Sequence, residues 1–218
     1  MDPRQIGPAI DGRLLPRSTA QAFASRQTAA VPLIIGSNSY EASLMDTFKI
    51  PKAAILAIAP ASLKAAYADL PTDEAKASAM FTDAIMGAPA PWIAGQAAGP
   101  AYLYHFAYVP TQRRASEPGA GHDTEIPFVF DSWDHLGALA RFLHLSDEDR
   151  AMTTLVHGCW VAFAKSGDPS CAGWPPYHRP DGRLLLFDTP AARVESSYHQ
   201  GRYDAQEAAV LPKIGVAR

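Results

Sequence analysis

The stretch Val31-Pro-Leu-Ile-Ile-Gly-Ser-Asn-Ser-Tyr-Glu-Ala-Ser-Leu-Met45 restricts the fold more than any other part of this 218-residue chain. Val31 to Ile35 is a short apolar run rich in β-branched residues. Its length suits a strand buried on both faces, as in a parallel sheet covered by helices. Gly36, Ser37 and Asn38 are expected to break the strand, with Glu41 in the turn that follows. In open α/β sheets the chemistry sits in loops beyond the carboxyl ends of the strands. A carboxylate there can orient a histidine, bind a cation or cap the next helix. The purely structural reading is a helix N-terminal acid favoured by the dipole.

A second stretch sharpens the choice. Tyr102-Leu-Tyr-His-Phe-Ala-Tyr-Val109 reads as an aromatic, alternating strand, and a polar loop with Pro and Gly leads from it to Gly121-His-Asp-Thr-Glu-Ile-Pro-Phe-Val-Phe130. Strand–turn–Glu followed by strand–loop–His is the chain order of the last two members of an α/β-hydrolase triad. Gly7-Pro-Ala-Ile-Asp-Gly-Arg-Leu-Leu-Pro16 precedes these pieces, and Trp160-Val-Ala-Phe-Ala-Lys-Ser-Gly-Asp-Pro169 with Gly173-Trp-Pro-Pro-Tyr177 follows them. In order and spacing the set resembles the C-terminal part of a type-B carboxylesterase, the family that includes the cholinesterases. The resemblance implies an α/β chain: the C-terminal part of an α/β-hydrolase fold, with a helical insertion between sheet strands. Residues 1–218 would form that part of a carboxylesterase domain, with the nucleophile elbow and oxyanion hole absent.

Composition places the chain among globular proteins. It is 48% hydrophobic and 19% charged, long enough to bury a core, and free of repeats and low-complexity tracts. A formal charge of −3 with no block of like charges gives no electrostatic case for nucleic acid or an anionic membrane. No apolar run is long enough for a transmembrane segment. Met1-Asp-Pro-Arg-Gln lacks the basic-then-apolar pattern of a signal peptide. The chain as written is therefore expected to be soluble and cytoplasmic, with a secreted or periplasmic location left open should a signal lie upstream. Of the two cysteines, Cys159 falls on the apolar face of a helix and Cys171 in a turn-rich segment. Two cysteines do not make a framework, so the reduced state is expected, with a disulfide left open. No CxxC, HExxH or paired-histidine spacing suggests a metal, and no cofactor is expected.

Along the chain, Ser18 to Gln27 is a short helix candidate with Ser18 or Thr19 as its cap. Pro51 to Met86 reads as helical, with a start at Pro71-Thr-Asp-Glu. Gly87-Ala-Pro-Ala-Pro91 is expected to break it before Trp92 to Ala98 resumes. This block suits a lid or pocket wall, or plain scaffold. Trp133 to Leu145 reads as a short amphipathic segment. The clearest helix begins at Ser146, where Ser146 and Asp149 fit a capping box. Its apolar residues from Met152 to Ala164 alternate by three and four, and Gly167 suits its end. Arg183 to Phe187 is expected to be the last strand, with a polar, Ala-rich tail beyond Ala191.

A serine esterase needs a histidine to take the nucleophile's proton, and a buried carboxylate to orient that histidine and stabilise the imidazolium. By resemblance Glu41 is the carboxylate and His122 the base. His122 alone of seven histidines sits in a glycine-flanked loop after an expected strand, whereas His105 lies inside the aromatic strand. Glu125 is a competing acid, read as fixing the loop. The family commonly has Asp-Glu-Gly around its acid; here the sequence is Tyr40-Glu41-Ala42, which keeps the carboxylate. The larger departure is that no Gly-x-Ser-x-Gly and no HGGG-type stretch occur. Ser37 and Ser39 lie near Glu41 but lack the strand-to-helix framing of a nucleophile. The expectation is a chain contributing acid and base to hydrolysis of a small-molecule ester, needing the missing N-terminal part of the fold. The alternative is an inactive esterase-derived fragment or a non-catalytic interaction module.

Overall fold

A computed structural model describes residues 9–135 and 144–216. Gly7 and Pro8, at the start of the first motif, and much of the amphipathic segment 133–145 lie outside the described residues. The sheet has four strands, β1 (Leu33–Asn38), β2 (Ala101–Phe106), β3 (Leu184–Phe187) and β4 (Arg193–Glu195), in that spatial order. The first three are parallel and β4 pairs antiparallel to β3. The helices are α1 (Thr19–Ala24), α2 (Ser43–Thr47), α3 (Lys52–Ile58), α4 (Ala61–Ala65), α5 (Asp73–Thr82), α6 (Pro89–Gln96), α7 (Ile126–Phe130), α8 (Asp147–Ser166) and α9 (Gln200–Val210).

Alternation along β2 builds two cores. Tyr102 and Phe106 face one side, joining Leu185, Phe187 and Trp174 against Met152, Val156 and Cys159 of α8. Ala101 and Leu103 face the other, joining Leu184 and Leu186 against Ala90 and Ala94 of α6. Helices on both faces of a mainly parallel sheet bury it twice, which explains the near-continuous apolar runs of β2 and β3. α8 begins as its sequence dictates: Asp149 N–H donates to Ser146 Oγ at 3.1 Å, and Ser146 N–H donates back to Asp149 Oδ2 at 2.9 Å. Gly167, at φ 76°, ends it.

Several expectations are corrected. Gly36, Ser37 and Asn38 do not break β1 but continue it, in register with Tyr104, His105 and Phe106. A Cβ on Gly36 would lie 2.4 Å from both the Tyr104 ring and its carbonyl, so this glycine admits the neighbouring strand rather than ending its own. Nor is β1 buried on both faces throughout: Val31 is exposed, Leu33 to Gly36 are half-buried, and the strand pairs only with β2 among the described residues. Gly87 to Pro91 does not interrupt the helical block. A π-helical turn at Asp83–Gly87 carries α5 into α6, whose first turn holds Pro89, where a missing N–H costs nothing. β3 is followed by β4 and α9, where the sequence suggested only a polar tail.

The cysteines are also corrected. Cys159 and Cys171 form a disulfide, with Cα atoms 5.5 Å apart. It ties α8 to the turn preceding Trp174, whose indole N–H donates to Leu103 O at 2.8 Å.

Candidate active site

Two loops meet at the carboxyl ends of β1 and β2. Ser39 N–H donates to Phe106 O at 2.9 Å, Tyr40 N–H to Ala120 O at 2.8 Å, and Ala120 N–H to Ser39 Oγ at 2.9 Å. His122 N–H donates to Ser43 Oγ at 2.8 Å, tying the second loop to the first turn of α2. The contact is so close that a Cβ on Gly119 would lie 2.7 Å from Ser39 Oγ, which accounts for glycine there. From the side, α5 contributes Thr82, whose Oγ1 accepts from Ala42 N–H at 3.1 Å. The helical block inserted between β1 and β2 thus abuts the turn that carries Glu41.

Within this clamp Glu41 is 3% exposed and uses both oxygens. Oε1 accepts from Asn38 N–H at 2.7 Å and Oε2 lies 2.6 Å from His122 Nδ1. A carboxylate held at two points cannot swing, so it fixes the plane and tautomer of the imidazole. The ring is about a third exposed, and its other nitrogen, Nε2, lies 3.3 Å from Asp123 Oδ1. Burial alone would lower the imidazole pKa. The Glu41 hydrogen bond and the charges of Glu41, Asp123 and Glu125 outweigh it, and the net shift is upward.

Asn38 links the two acids. Its backbone N–H serves Glu41, while Nδ2 donates to Gly121 O at 2.8 Å and to Glu125 Oε2. Glu125 therefore fixes the loop through Asn38, as its sequence position suggested. Its pKa is raised by burial, against the Asn38 hydrogen bond and with the help of Glu41 and Asp123. The site roles of Asn38, Ser43 and Thr82 were not read from the sequence. The signal available was the position of Glu41 three residues after Asn38, the spacing at which a carboxylate reaches back to a backbone N–H.

The remaining candidates are otherwise engaged. His105 is buried in β2, its Nδ1 3.0 Å from Ser37 Oγ, and burial together with nearby His199 pushes its pKa down to about 3. His157 Nδ1 lies 2.9 Å from Val129 O. Ser39 Oγ holds the Ala120 amide, so neither Ser37 nor Ser39 stands beside His122 Nε2 in a nucleophile's framing. Among the described residues, no group of three or more His, Cys, Asp or Glu could hold a metal, and no helix is long and apolar enough to cross a membrane.

Comparisons with known proteins converge on one family. The carboxylesterase family model matches residues 60–206, a span that includes His122. Para-nitrobenzyl esterase of Bacillus subtilis is 29% identical over 194 residues, covering 84% of this chain and 39% of that protein. The human cocaine esterase is 26% identical over 222 residues, covering 86% and 39%. A solved PNB esterase superposes with a TM-score of 0.73 at 26% identity, covering 91% of this chain and 43% of that one. A Geobacillus stearothermophilus carboxylesterase gives 0.73 at 24% identity, which speaks for the fold alone. The chain spans about two fifths of the length of these relatives.

Proposed function

The chain belongs to the carboxylesterase family and carries part of an α/β-hydrolase fold, and from that premise we propose that it supplies the acid and the base of a carboxylic-ester hydrolase. The observation that carries this is the 2.6 Å contact between Glu41 Oε2 and His122 Nδ1, made by two loops at the same edge of a parallel sheet. The nucleophile is a serine outside these residues, since no Gly-x-Ser-x-Gly occurs among them. Its hydroxyl proton passes to His122 Nε2 as oxygen attacks the ester carbonyl. The imidazolium, stabilised by Glu41, returns that proton to the departing alcohol. Water then attacks the acyl-serine carbonyl and gives a proton to the same nitrogen, and the acid departs as His122 passes that proton to the serine oxygen. The substrate class is a small-molecule carboxylic ester.

The partner this proposal requires is the remaining part of the fold, carrying the nucleophile and the oxyanion hole. The edge of β1 that is unpaired among the described residues, with Leu33, Ile34 and Ile35 half-buried, supports a strand of that part adding there. Residues 1–218 would then be the C-terminal part of a carboxylesterase domain. The Cys159–Cys171 disulfide supports an oxidising compartment over the cytoplasm. The reading is tested in a product that joins this segment to an upstream Gly-x-Ser-x-Gly segment. There His122→Ala should abolish ester turnover with the fold retained, and an active His122→Ala enzyme would refute it. A second reading, an esterase-derived interaction module without activity, is favoured by one observation: the serines near Glu41 are occupied in structural hydrogen bonds. Absence of any in-frame upstream elbow would support it.

A further inference from the structure

His122 is flanked by a carboxylate on each nitrogen. Glu41 Oε2 lies 2.6 Å from Nδ1 and Asp123 Oδ1 lies 3.3 Å from Nε2. A neutral imidazole has one N–H and one lone pair. If Nδ1–H points at Glu41, Nε2 would present its lone pair to a carboxylate oxygen, and two acceptors at that distance repel. Both contacts are favourable together only when both nitrogens carry protons. The backbone places Asp123 there. Its φ is 67°, a left-handed conformation in which glycine and asparagine are at ease, within a turn closed by Thr124 N–H to Gly121 O at 3.2 Å and Ile126 N–H to Asp123 O at 3.2 Å.

We propose that Asp123 is a positioning residue that sits against the outer nitrogen of His122, favours protonation of that nitrogen, and must yield it to the nucleophile. This rests on the reading of His122 as general base and adds a competitor to it. The charges acting on the ring are Glu41 from the turn after β1 and Asp123 and Glu125 from its own loop, all acidic, while Ser43 of α2 contributes a neutral hydroxyl to the backbone. Of these, Asp123 alone contacts Nε2 and is largely exposed, so it can swing away without breaking the clamp. Its carboxylate sets how acidic the medium can become before the base is lost.

The test is the pH dependence of diethyl pyrocarbonate acylation of His122 in the full chain, read by peptide mass spectrometry. Only an unprotonated ring nitrogen reacts, and exposed His178 serves as internal reference. Asp123→Asn and Asp123→Gly both tolerate a left-handed backbone, so the loop is kept; circular dichroism checks this. Both should react several-fold faster than the parent near pH 6, with the His122 midpoint moved to lower pH and His178 unchanged. Profiles superimposable on the parent would overturn the proposal. Glu41→Gln in the same assay separates the two ideas. A midpoint that falls with Glu41→Gln but not with Asp123→Asn removes the role of Asp123 and leaves the Glu41–His122 pair standing. A midpoint that moves with neither removes both.

Discussion

Glu41 and His122, 81 residues apart in sequence, meet at 2.6 Å because the turns after two adjacent parallel strands are clamped edge to edge. The contact raises the histidine pKa, and its contribution to stability has a definite sign. A base whose folded pKa exceeds its unfolded value binds its proton more tightly in the folded state. The stabilisation is therefore complete below about pH 6.5 and is lost as pH rises through the higher folded value. Glu41→Gln should weaken this dependence and move the His122 midpoint to lower pH by NMR titration. In an active assembly it should also lower kcat by about two to four orders of magnitude with little effect on KM. A kcat near that of the parent would assign the orienting acid elsewhere.

Asp149 anchors the start of the loop that carries His122. One carboxylate accepts from Tyr108 OH, Thr111 N–H, Thr111 Oγ1–H, Ser146 N–H and Ser146 Oγ–H, all between 2.8 and 2.9 Å. Burial would raise its pKa, but these donors outweigh it and hold the carboxyl at about 2. Its stabilisation is present above the unfolded value near 3.8 and is lost as pH falls through about 2. Asp149→Asn turns an amide N–H toward donors and should cost about 2–4 kcal/mol at pH 7 by urea unfolding. The gap between parent and variant should narrow by about 2 kcal/mol toward pH 2. An equal gap at both pH values would show that the charge is not what the donors hold.

The disulfide makes a separate prediction. Cys159 and Cys171 are 12 residues apart, and the bond ties the C-terminal half of α8 to the turn before Trp174. Replacing both by alanine should cost about 2–3 kcal/mol, by the chain-entropy estimate for a loop of this length. Denatured, unreduced protein should take no iodoacetamide. Alkylation of both cysteines under those conditions would contradict the bond.

How much of this was legible in the sequence varies by element. β1, β2 and α8 announce themselves locally, through apolar runs, alternation and the Ser146–Asp149 box. Glu41 and His122 were legible because their chain order and glycine-flanked loop match a resemblance. What escaped depends on neighbours distant in sequence. Gly36 looked like a terminator because its role, admitting Tyr104, exists only once β2 lies alongside. β4 is three residues, Arg193-Val-Glu, with no apolar alternation, and α9 buries Tyr203, Gln206 and Glu207 rather than an aliphatic stripe. Asp123 lay beside the expected base, yet only its left-handed backbone brings it to Nε2.

A division of the triad, with acid and base in these residues and the nucleophile elsewhere, is tested by one experiment. The purified 218-residue chain is mixed with a fluorophosphonate serine probe and assayed on p-nitrophenyl acetate. A parallel sample is co-expressed with a carboxylesterase N-terminal segment bearing Gly-x-Ser-x-Gly. The chain alone should give no label and no turnover above background; both should appear on co-expression, and the turnover should vanish in His122→Ala. A folded chain that by itself takes the label on one of its own serines and hydrolyses the ester would contradict that division.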